Sequence, residues 1–242
     1  MKQPPRFAIS SPPDERGIVR LDAGETHHMR DVMRLQPGDA VTLIEEAGMR
    51  YSGTIRSFDR DSAEIQIVFT EPPRISPPLI VAPAITKGPR MDFIMEKAAE
   101  LGATEVWPIV CARSVGKAPG SERIARWRRL ATAASKQSLA VPPMVVREAR
   151  PFSTLIQDVP RDTLPLICSA GAEPIGDVIA RTMPQGILIA SGPEGDFDAD
   201  ELVSAIAAGF VRVGLGPNRL RAETAAIAAL AIAGQWFNRR GS

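Results

Sequence analysis

Residues 186–213 have the sequence GILIASGPEGDFDADELVSAIAAGFVRV, and this stretch decides the fold class. Its first residues, Gly186-Ile-Leu-Ile-Ala190, form a continuous apolar run that predicts a buried strand. Asp198 and Glu201 then have the spacing of a capping box, which predicts the start of a helix. Phe210-Val-Arg-Val213 predicts the next strand. A strand, a helix and a strand in this order indicate parallel pairing and an α/β fold.

The same alternation extends over the C-terminal two thirds of the chain. Further strands are predicted over residues 79–85, 106–110 and 164–168. Helices are predicted where Met91, Ile94, Ala98 and Leu101 recur at helical spacing, over about residues 121–140, and over about residues 222–238. The last helix is apolar nearly all round and is expected to be buried. We therefore expect a mostly parallel sheet with helices on both faces.

The residues before this region have a different pattern, in which short β-like runs alternate with turn residues. Five strands are predicted, over residues 7–9, 18–21, 40–44, 51–55 and 64–69. They indicate a small β-barrel, interrupted by one helix from Thr26, its expected N-cap, to Arg34. Four prolines then fall within residues 71–78, where neither a helix nor a central strand can continue. We expect a barrel domain over residues 1–72, a linker over residues 73–78 and an α/β domain over residues 79–242.

Composition excludes several classes of protein. The chain has 242 residues, a formal net charge of +1 and 44% apolar residues, which is typical of a folded protein. Two cysteines, Cys111 and Cys168, are too few for a disulfide framework and indicate a reducing compartment. The N-terminal residues lack the apolar core of a secretory signal, and no stretch reaches the ~18 apolar residues of a membrane span. We therefore expect a cytoplasmic protein.

Charge is unevenly distributed along the chain. Residues 113–150 contain nine Lys or Arg against two Asp or Glu, whereas residues 1–75 contain ten against twelve. Such a basic segment either binds phosphate groups or forms a solvated helix face. Charge alone slightly favours the solvated face.

Two loops are placed where an open α/β sheet binds its ligands, beyond the carboxyl ends of the strands. The first, Ser191-Gly-Pro-Glu-Gly-Asp-Phe197, has glycines that permit close approach of a ligand to the backbone. It could equally be a turn that leads into a capped helix. The second, residues 214–225, brings Arg219, Arg221 and Glu223 to the start of the last helix. There Arg221 either pairs locally with Glu223 or points its guanidinium at an electron-rich ligand.

Several other chemistries are not supported by the sequence. The chain has no P-loop motif and no nucleophile elbow. Gly214-Leu-Gly216 lacks the third glycine and the distant acidic residue of a dinucleotide-binding fold. The histidines, His27 and His28, are adjacent and have no cysteine cluster beside them. We therefore predict no metal site.

Six motifs occur in an order that is typical of one family. They are Lys87-Gly-Pro-Arg-Met-Asp-Phe-Ile-Met-Glu-Lys-Ala-Ala-Glu-Leu-Gly102, Arg113-Ser114, Gln137-Ser138, Gly192-Pro-Glu-Gly195, Leu215-Gly216 and Leu220-Arg-Ala-Glu-Thr-Ala225. In these motifs the chain resembles the bacterial small-subunit ribosomal RNA uridine N3-methyltransferases of the SPOUT superfamily. Arg6, His28 and Arg34 resemble positions of that family's PUA-like RNA-binding domain. The resemblance covers nearly the whole chain.

The resemblance implies a SPOUT-type α/β domain with a deep C-terminal trefoil knot, preceded by a small PUA-like β-barrel. It also implies a homodimer, bound S-adenosylmethionine, and a uridine of 16S ribosomal RNA in the small ribosomal subunit as the substrate. The implied cofactor-binding residues are Ser169, Ala170, Gly171, Gly192, Pro193, Glu194, Gly195, Leu215, Gly216, Leu220, Thr224 and Ala225. The implied RNA-binding residues are Arg6, His28, Arg34, Lys87, Arg90 and Arg113.

The implied chemistry needs neither a metal nor a protein nucleophile, because the cofactor carries an activated methyl group. N3 of uridine becomes nucleophilic when it loses its proton, which places negative charge on the neighbouring carbonyl oxygens. We expect Arg221 to stabilise that charge, and Glu223 either to take the proton or, as we favour, to orient Arg221. Two other functions stay open: a SPOUT methyltransferase acting on a ribose 2′-hydroxyl, and a non-catalytic RNA-binding assembly factor.

The chain departs from the family pattern at two places. Asp196 stands where the family usually has a second glycine, and Leu139-Ala140 follow Gln137-Ser138 where an arginine is usual. We expect the first departure to change only a turn. We expect the second to affect one contact that the resemblance implies, either with RNA or with the second subunit.

Overall fold

The computed structural model describes residues 4–45, 48–73, 76–114, 118–138, 140 and 142–240. They belong to two compact units, one within residues 1–75 and the other within residues 76–242. Residues 74 and 75 of the expected linker lie outside the described residues, as does Leu139 of the second departure from the family pattern. No helix in the described part of the chain is long and apolar enough to cross a membrane.

The N-terminal unit is a five-stranded sheet in which all five predicted strands are present. The strands are β1 (Arg6–Ile9), β2 (Ile18–Leu21), β3 (Ala40–Glu45), β4 (Arg50–Phe58) and β5 (Ala63–Glu71), in the order β1-β3-β4-β5-β2. β1 pairs parallel with β3, and the other neighbours are antiparallel. Alternate residues along the strands face one core, which includes Phe7, Leu43, Tyr51 and Ile65.

The helix of this unit begins earlier than the sequence prediction, which was wrong about its N-cap. α1 (Ala23–His27) starts after Asp22, whose side chain accepts a hydrogen bond of 2.9 Å from the backbone N–H of Glu25. The expected cap, Thr26, is buried within α1, and its hydroxyl oxygen has no hydrogen-bond partner in the part of the chain that the structure describes. Asp22 caps the helix because its carboxylate reaches the N–H three residues on, and Glu25 favours the positive end of the helix.

A π-helical turn, His28–Val32, continues α1 and is followed by a strained residue. Arg34 has a φ of 57°, in the left-handed region that glycine adopts most readily. The next residue, Leu35, donates a backbone hydrogen bond of 3.1 Å to the carbonyl of Met29, which closes the end of the helix. The helix therefore ends before Arg34 rather than at it.

The C-terminal unit is built on a parallel sheet, as predicted. Its strands are β6 (Leu79–Pro83), β7 (Glu105–Val106), β8 (Ile109–Val110), β9 (Val145–Val146), β10 (Arg150–Pro151), β11 (Thr163–Cys168), β12 (Gly186–Ser191) and β13 (Val211–Val213). Six of them form one sheet in the order β13-β11-β12-β6-β7-β9, in which every pair is parallel. β8 and β10 pair separately.

Helices cover both faces of this sheet, as predicted. They are α2 (Arg90–Glu100), α3 (Ser121–Ser138), α4 (Phe152–Leu155), α5 (Ile175–Thr182), α6 (Ala199–Ala207) and α7 (Ala222–Arg240). α2, α3, α5 and α7 contribute to the core on one face, and α4 and α6 to the core on the other. The predicted capping box of α6 is present, because Asp198 accepts from the Glu201 N–H at 2.7 Å and Glu201 accepts from the Asp198 N–H at 3.1 Å.

Two sequence predictions for this unit were wrong. The strand expected over residues 106–110 is interrupted between β7 and β8, because Pro108 has no N–H to donate to a ladder. α7, expected to be buried nearly all round, buries one side against β6 and β12 and exposes Ala231, Ile232 and Gln235 on the other. Its alanines reflect close packing on one face of the sheet rather than burial on every side.

The chain after β13 passes in direct backbone contact with the chain before α5. Gly214 pairs with Pro174 in a parallel bridge, and its N–H donates to the carbonyl of Glu173 at 2.7 Å. A Cβ on Gly214 would lie 2.4 Å from the carbonyl oxygen of Ala172, a distance that real Cβ atoms do not reach. Only glycine allows this approach.

Replacing Gly214 with alanine is expected to lower the free energy of unfolding by about 1–3 kcal/mol, because the new methyl group overlaps the Ala172 carbonyl. Urea unfolding of the purified variants measures the change. Gly120→Ala is the control, since its Cβ would enter open space, and its stability should stay within about 0.5 kcal/mol of the original. Equal stability of the two variants would contradict the close approach at Gly214.

Replacing Arg34 with glycine is expected to stabilise the N-terminal unit by up to about 1 kcal/mol, because it relieves the left-handed strain. The midpoint of thermal unfolding measures this gain. Gln36→Gly is the control: Gln36 is exposed and outside the left-handed region, so glycine there should only destabilise. A loss of stability in Arg34→Gly equal to that of the control would show that Arg34 carries no strain.

Candidate functional site

Three loops at the carboxyl ends of neighbouring parallel strands surround one cavity of about 900 Å³. They follow β11, β12 and β13, at residues 168–171, 191–196 and 215–222. The ends of adjacent parallel strands meet at one edge of a sheet, which is where open α/β folds bind their ligands. The two candidate loops of the sequence analysis thus belong to the same cavity, together with a third loop after β11.

The lining contains most of the residues expected to bind a cofactor. These are Ser169, Ala170, Gly171, Gly192, Pro193, Glu194, Leu215, Gly216, Leu220 and Ala225. Gly195 and Thr224 were expected there as well but are not part of the lining. Of the two expected catalytic residues, Arg221 lines the cavity and Glu223 does not.

Glycine and backbone hydrogen bonds hold the loop after β12 in place. A Cβ on Gly192 would lie 3.1 Å from the ring of Phe197, so the ring packs directly on the glycine backbone. Arg219 Nη2 donates to the carbonyl of Glu194 at 3.3 Å and so ties this loop to the loop after β13. Gly216 has a φ of 109°, which permits the turn on the opposite wall.

Arg90 is a cavity residue, although the sequence analysis assigned it to RNA binding. As the first residue of α2, it extends into the lining and forms an ion pair with the Glu194 carboxylate. Its Nε also lies 3.8 Å from Oε1 of Glu223, at the start of α7. Arg90, the first residue of α2, therefore contacts the loop after β12 through Glu194 and the start of α7 through Glu223.

The Glu223 carboxylate is buried and only partly satisfied. Its Oε2 atom has no hydrogen-bond partner among the residues that the structure describes. Its closest charged partner there is Arg90 rather than Arg221. The interpretation that Glu223 orients Arg221 directly therefore has no contact to support it, and neither does the alternative of a local ion pair between the two.

Arg221 is exposed and stands in the cavity wall without an ion pair in the described part of the chain. It directly precedes α7, where the N-terminal N–H groups already carry positive character. A guanidinium held in that position attracts negative charge on a ligand. The geometry is thus compatible with the expected role of Arg221 toward an electron-rich group.

The two thiols are protonated near neutral pH. Burial raises the pKa of Cys168, which lines the cavity, to about 12, and the Asp196 carboxylate adds to the shift. Burial also raises the pKa of Cys111 far above its usual value. Neither residue can therefore act as a thiolate nucleophile. Within the described ranges, no group of three or more His, Cys, Asp or Glu side chains could hold a metal ion.

The other expected RNA-binding residues belong to both units. In the N-terminal unit, His28 and Arg34 are exposed, and the His28 ring meets Phe7 edge-on at 5.9 Å. Arg6 opens strand β1 of the same unit. In the C-terminal unit, Lys87 is exposed in the loop before α2. Arg113 donates a hydrogen bond of 3.0 Å to the carbonyl of Gly195, which places it beside the loop after β12.

Most arginines of the basic segment over residues 113–150 already have acidic partners. The ion pairs are Arg126–Asp92, Arg128–Glu148, Arg147–Glu105 and Arg150–Asp158. Arg129 and Lys136 are exposed on α3, while Lys117 lies outside the described residues. Carboxylates therefore pair with four of the nine basic residues of the segment, and three of these carboxylates, Asp92, Glu105 and Asp158, come from outside it.

Sequence reasoning did not assign seven of the lining residues: Cys168, Ser191, Asp196, Pro217, Asn218, Arg219 and Ala222. All except Cys168, the last residue of β11, belong to the two loops that the sequence singled out, so the loops were found but not every residue that contributes to the wall. Arg90 was assigned to a different role because nothing in the sequence shows that β6 lies beside β12. The strand order supplies that information and brings the start of α2 to the cavity.

The comparisons with known proteins agree on one family. A family model described as an RNA methyltransferase domain matches residues 74–234, and one described as an RNA methyltransferase PUA domain matches residues 21–68. Ribosomal RNA small subunit methyltransferase E of Synechocystis sp. is 31% identical over 219 residues, which are 88% of this chain and 71% of that protein. The protein of the same name from Bacillus subtilis is 28% identical over 229 residues, 90% of each chain.

The fold comparison agrees with the sequence comparison. The crystal structure of a ribosomal RNA small subunit methyltransferase E from Neisseria gonorrhoeae bound to S-adenosyl methionine has a TM-score of 0.70 and 29% identity. The match covers 95% of this chain and 96% of that one. The resemblance found in the sequence motifs is thereby confirmed, and the chain belongs to the ribosomal RNA small subunit methyltransferase E family of RNA methyltransferases, with a PUA domain ahead of the methyltransferase domain.

Proposed function

We propose that this protein is an S-adenosylmethionine-dependent methyltransferase that acts on N3 of a uridine in 16S ribosomal RNA of the small subunit. The observation that carries this proposal is the single cavity formed by the loops after β11, β12 and β13, with Arg221 in its wall. The family supports the RNA substrate, and the Neisseria relative, whose structure holds S-adenosyl methionine, supports the cofactor.

The cavity suits that cofactor in size and in chemistry. Its volume of about 900 Å³ is within the usual range for small-molecule and cofactor sites. Gly216, whose missing Cβ faces open space, leaves the backbone open to close approach, as an adenosine group requires. Leu215 and Leu220 offer apolar surface for the adenine ring. The loop after β11, Ser169 to Gly171, supplies further backbone groups.

When bound, the cofactor supplies a methyl group activated by its sulfonium, so the protein's task is to position and activate the acceptor. Arg221 would face the uracil carbonyl oxygens and stabilise the negative charge that develops when N3 loses its proton. An exposed guanidinium without a carboxylate partner can take this role without first breaking an ion pair.

Glu223 would act through Arg90 and not on the substrate, because it is absent from the cavity lining. With Glu194 and Glu223 on either side, Arg90 holds the loop after β12 against the start of α7. Glu223 is therefore a positioning residue in this proposal, in place of the direct role that the sequence analysis expected. In this proposal, the N3 proton is accepted by solvent or by a group of the RNA.

The RNA would be bound by residues of both units. A base paired in a duplex hides N3, so the target uridine must be unpaired or extruded. Arg6, His28 and Arg34 would contact the RNA from the PUA domain, and Lys87 and Arg113 from the methyltransferase domain. Shape and phosphate contacts would dominate, as is usual for structured RNA.

We further propose, from the family, that residues 1–72 form a PUA-like barrel and residues 79–242 a SPOUT domain with a deep trefoil knot, joined by a linker over residues 73–78. The knot rests on the family alone, and the backbone contact between Gly214 and residues 172–174 places two distant segments of the chain side by side in this region. We also propose a cytoplasmic homodimer.

Arg221→Ala is expected to lower the rate of methyl transfer about 100–1000-fold, because an arginine that stabilises the developing anion contributes most in the transition state. Its affinity for S-adenosylhomocysteine should change less than about threefold, because that ligand carries no uracil. The assay uses labelled S-adenosylmethionine and small subunits that lack the modification, followed by nucleoside mass spectrometry. Arg161→Ala is the control, since Arg161 is exposed at the amino end of β11, opposite the cavity.

The same assay distinguishes the alternatives. Label on a ribose 2′-hydroxyl would assign the chain to ribose methylation. No label on any nucleoside from the unsubstituted protein would favour a non-catalytic assembly factor. An unchanged rate in Arg221→Ala would remove Arg221 from the reaction.

Glu223→Gln is expected to weaken cofactor binding about fivefold, the equivalent of about 1 kcal/mol, because Arg90 loses one of its two carboxylate partners. The turnover rate at saturating cofactor should fall less than the affinity does, and Glu223→Asp should restore part of the affinity. Calorimetric titration with S-adenosylhomocysteine gives the affinity. Glu122→Gln, an exposed change in the first turn of α3, is the control. A reduced turnover rate with unchanged affinity would instead make Glu223 a catalytic residue.

A further inference from the structure

Asp196 occupies a position in the cavity wall that its backbone does not favour. Its φ is 62°, in the left-handed region, and it lines the cavity at the end of the loop after β12. Glycine adopts this conformation without steric cost, whereas a residue with a Cβ adopts it less readily. Strain of this kind is retained at functional sites when the side chain contributes something that glycine cannot. Asp196 is therefore a residue whose side chain needs an explanation.

The carboxylate of Asp196 is directed back over the loop, toward the strand ends. Its Oδ1 accepts a hydrogen bond of 2.8 Å from the Phe197 N–H and lies 3.3 Å from the point where Gly192 would carry a Cβ. The carboxylate is also near enough to Cys168, the last residue of β11, to influence the pKa of its thiol. Asp196 thus stands between the loop after β12 and the end of β11, on the cavity side.

None of the three arginines in the cavity wall, Arg90, Arg219 and Arg221, forms an ion pair with Asp196 in the described part of the chain. Arg90 pairs with Glu194 and approaches Glu223, and Arg219 donates to the carbonyl of Glu194. Asp196 forms no ion pair within the described residues, and its Oδ2 accepts no hydrogen bond from them. The protein therefore leaves one carboxylate oxygen available to a hydrogen-bond donor that enters the cavity.

The hydrogen bond that Asp196 makes within the turn does not explain why this residue carries a negative charge. The hydrogen bond from Oδ1 to the Phe197 N–H needs only a side-chain oxygen, which asparagine also provides. Asparagine is at least as tolerant of the left-handed conformation as aspartate. The carboxylate adds a negative charge and a second acceptor, and both are suited to hydroxyl or ammonium donors.

We propose that Asp196 is a cofactor-binding residue of this chain, whose carboxylate accepts a hydrogen bond from a hydroxyl or ammonium donor of the bound cofactor. The inference rests on the proposed function, because the donor belongs to S-adenosylmethionine. That cofactor carries such donors in two places, the ribose hydroxyls and the amino group of its methionine part. Carboxylates recognise ribose hydroxyls in other α/β nucleotide sites, so this chemistry has precedent in the fold class.

Calorimetric titration of the full-length protein with S-adenosylhomocysteine tests the proposal. Asp196→Asn preserves the size of the side chain, the left-handed preference and the bond to Phe197, and removes only the charge and one acceptor. We expect this variant to bind about tenfold more weakly. Asp196→Gly should bind at least as weakly although its thermal unfolding midpoint rises, because glycine relieves the strain. Asp200→Asn, an exposed change in the first turn of α6, should bind within about twofold of the original protein.

A second titration, with 5′-methylthioadenosine, identifies the donor. This ligand keeps the ribose hydroxyls and lacks the amino acid part. Weakening by Asp196→Asn equal to that seen with S-adenosylhomocysteine assigns the contact to the ribose, and unchanged binding assigns it to the amino group. Both results support the proposal.

Two other results have distinct meanings. If Asp196→Asn and Asp196→Gly bind S-adenosylhomocysteine as tightly as the original protein does, Asp196 is only a turn residue and the proposal is overturned. If the original protein binds neither S-adenosylhomocysteine nor S-adenosylmethionine, the proposed function itself fails, and the inference about Asp196 fails with it.

Discussion

The close backbone contact at Gly214 is the constraint on which the cavity depends. The chain leaves β13 through a position where a side chain would overlap the Ala172 carbonyl, and the backbone of Gly214 bonds to Glu173 and to Ile175, at the start of α5. This contact places the loop after β13 beside the loop after β11. The loop after β12 completes the wall because β12 is the neighbour of β11 in the sheet. Three loops far apart in sequence therefore share one ligand site.

Two arginines of the cavity wall have different roles: Arg90 links the loop after β12 to the start of α7 through carboxylates, and Arg221 lines the cavity without a carboxylate partner among the described residues. Arg90 is engaged by Glu194 and approaches Glu223. The burial of Glu223 explains this division, because a buried carboxylate needs a cationic neighbour and Arg90 is the one within reach. Arg221 thereby keeps its charge for a ligand. In the basic segment over residues 113–150, by contrast, most of the arginines form ion pairs with carboxylates of the protein.

Much of the fold could be predicted because it depends on local patterns. Continuous apolar runs indicated buried parallel strands, alternating runs indicated the N-terminal sheet, and the Asp198–Glu201 spacing indicated the start of α6. Predictions were wrong where two local signals competed. Asp22 and Thr26 are both acceptable helix caps, and in the structure Asp22 caps the helix through the Glu25 N–H while Thr26 lies within it. The composition of α7 indicated burial, but small residues pack closely on one side and leave the other exposed.

By itself, the sequence determined the fold class, the two glycine-bearing loops and, through their motifs, the family. Each of these is encoded in residues that are close together along the chain, such as Gly192 to Gly195. Only the tertiary structure decided which side chains share the cavity: that Arg90 belongs to it, that Glu223 faces Arg90 rather than Arg221, and that Asp196 lines the wall. The reason is physical. Those contacts depend on strand order and on backbone segments that meet across the sheet, and no local pattern of residues specifies either.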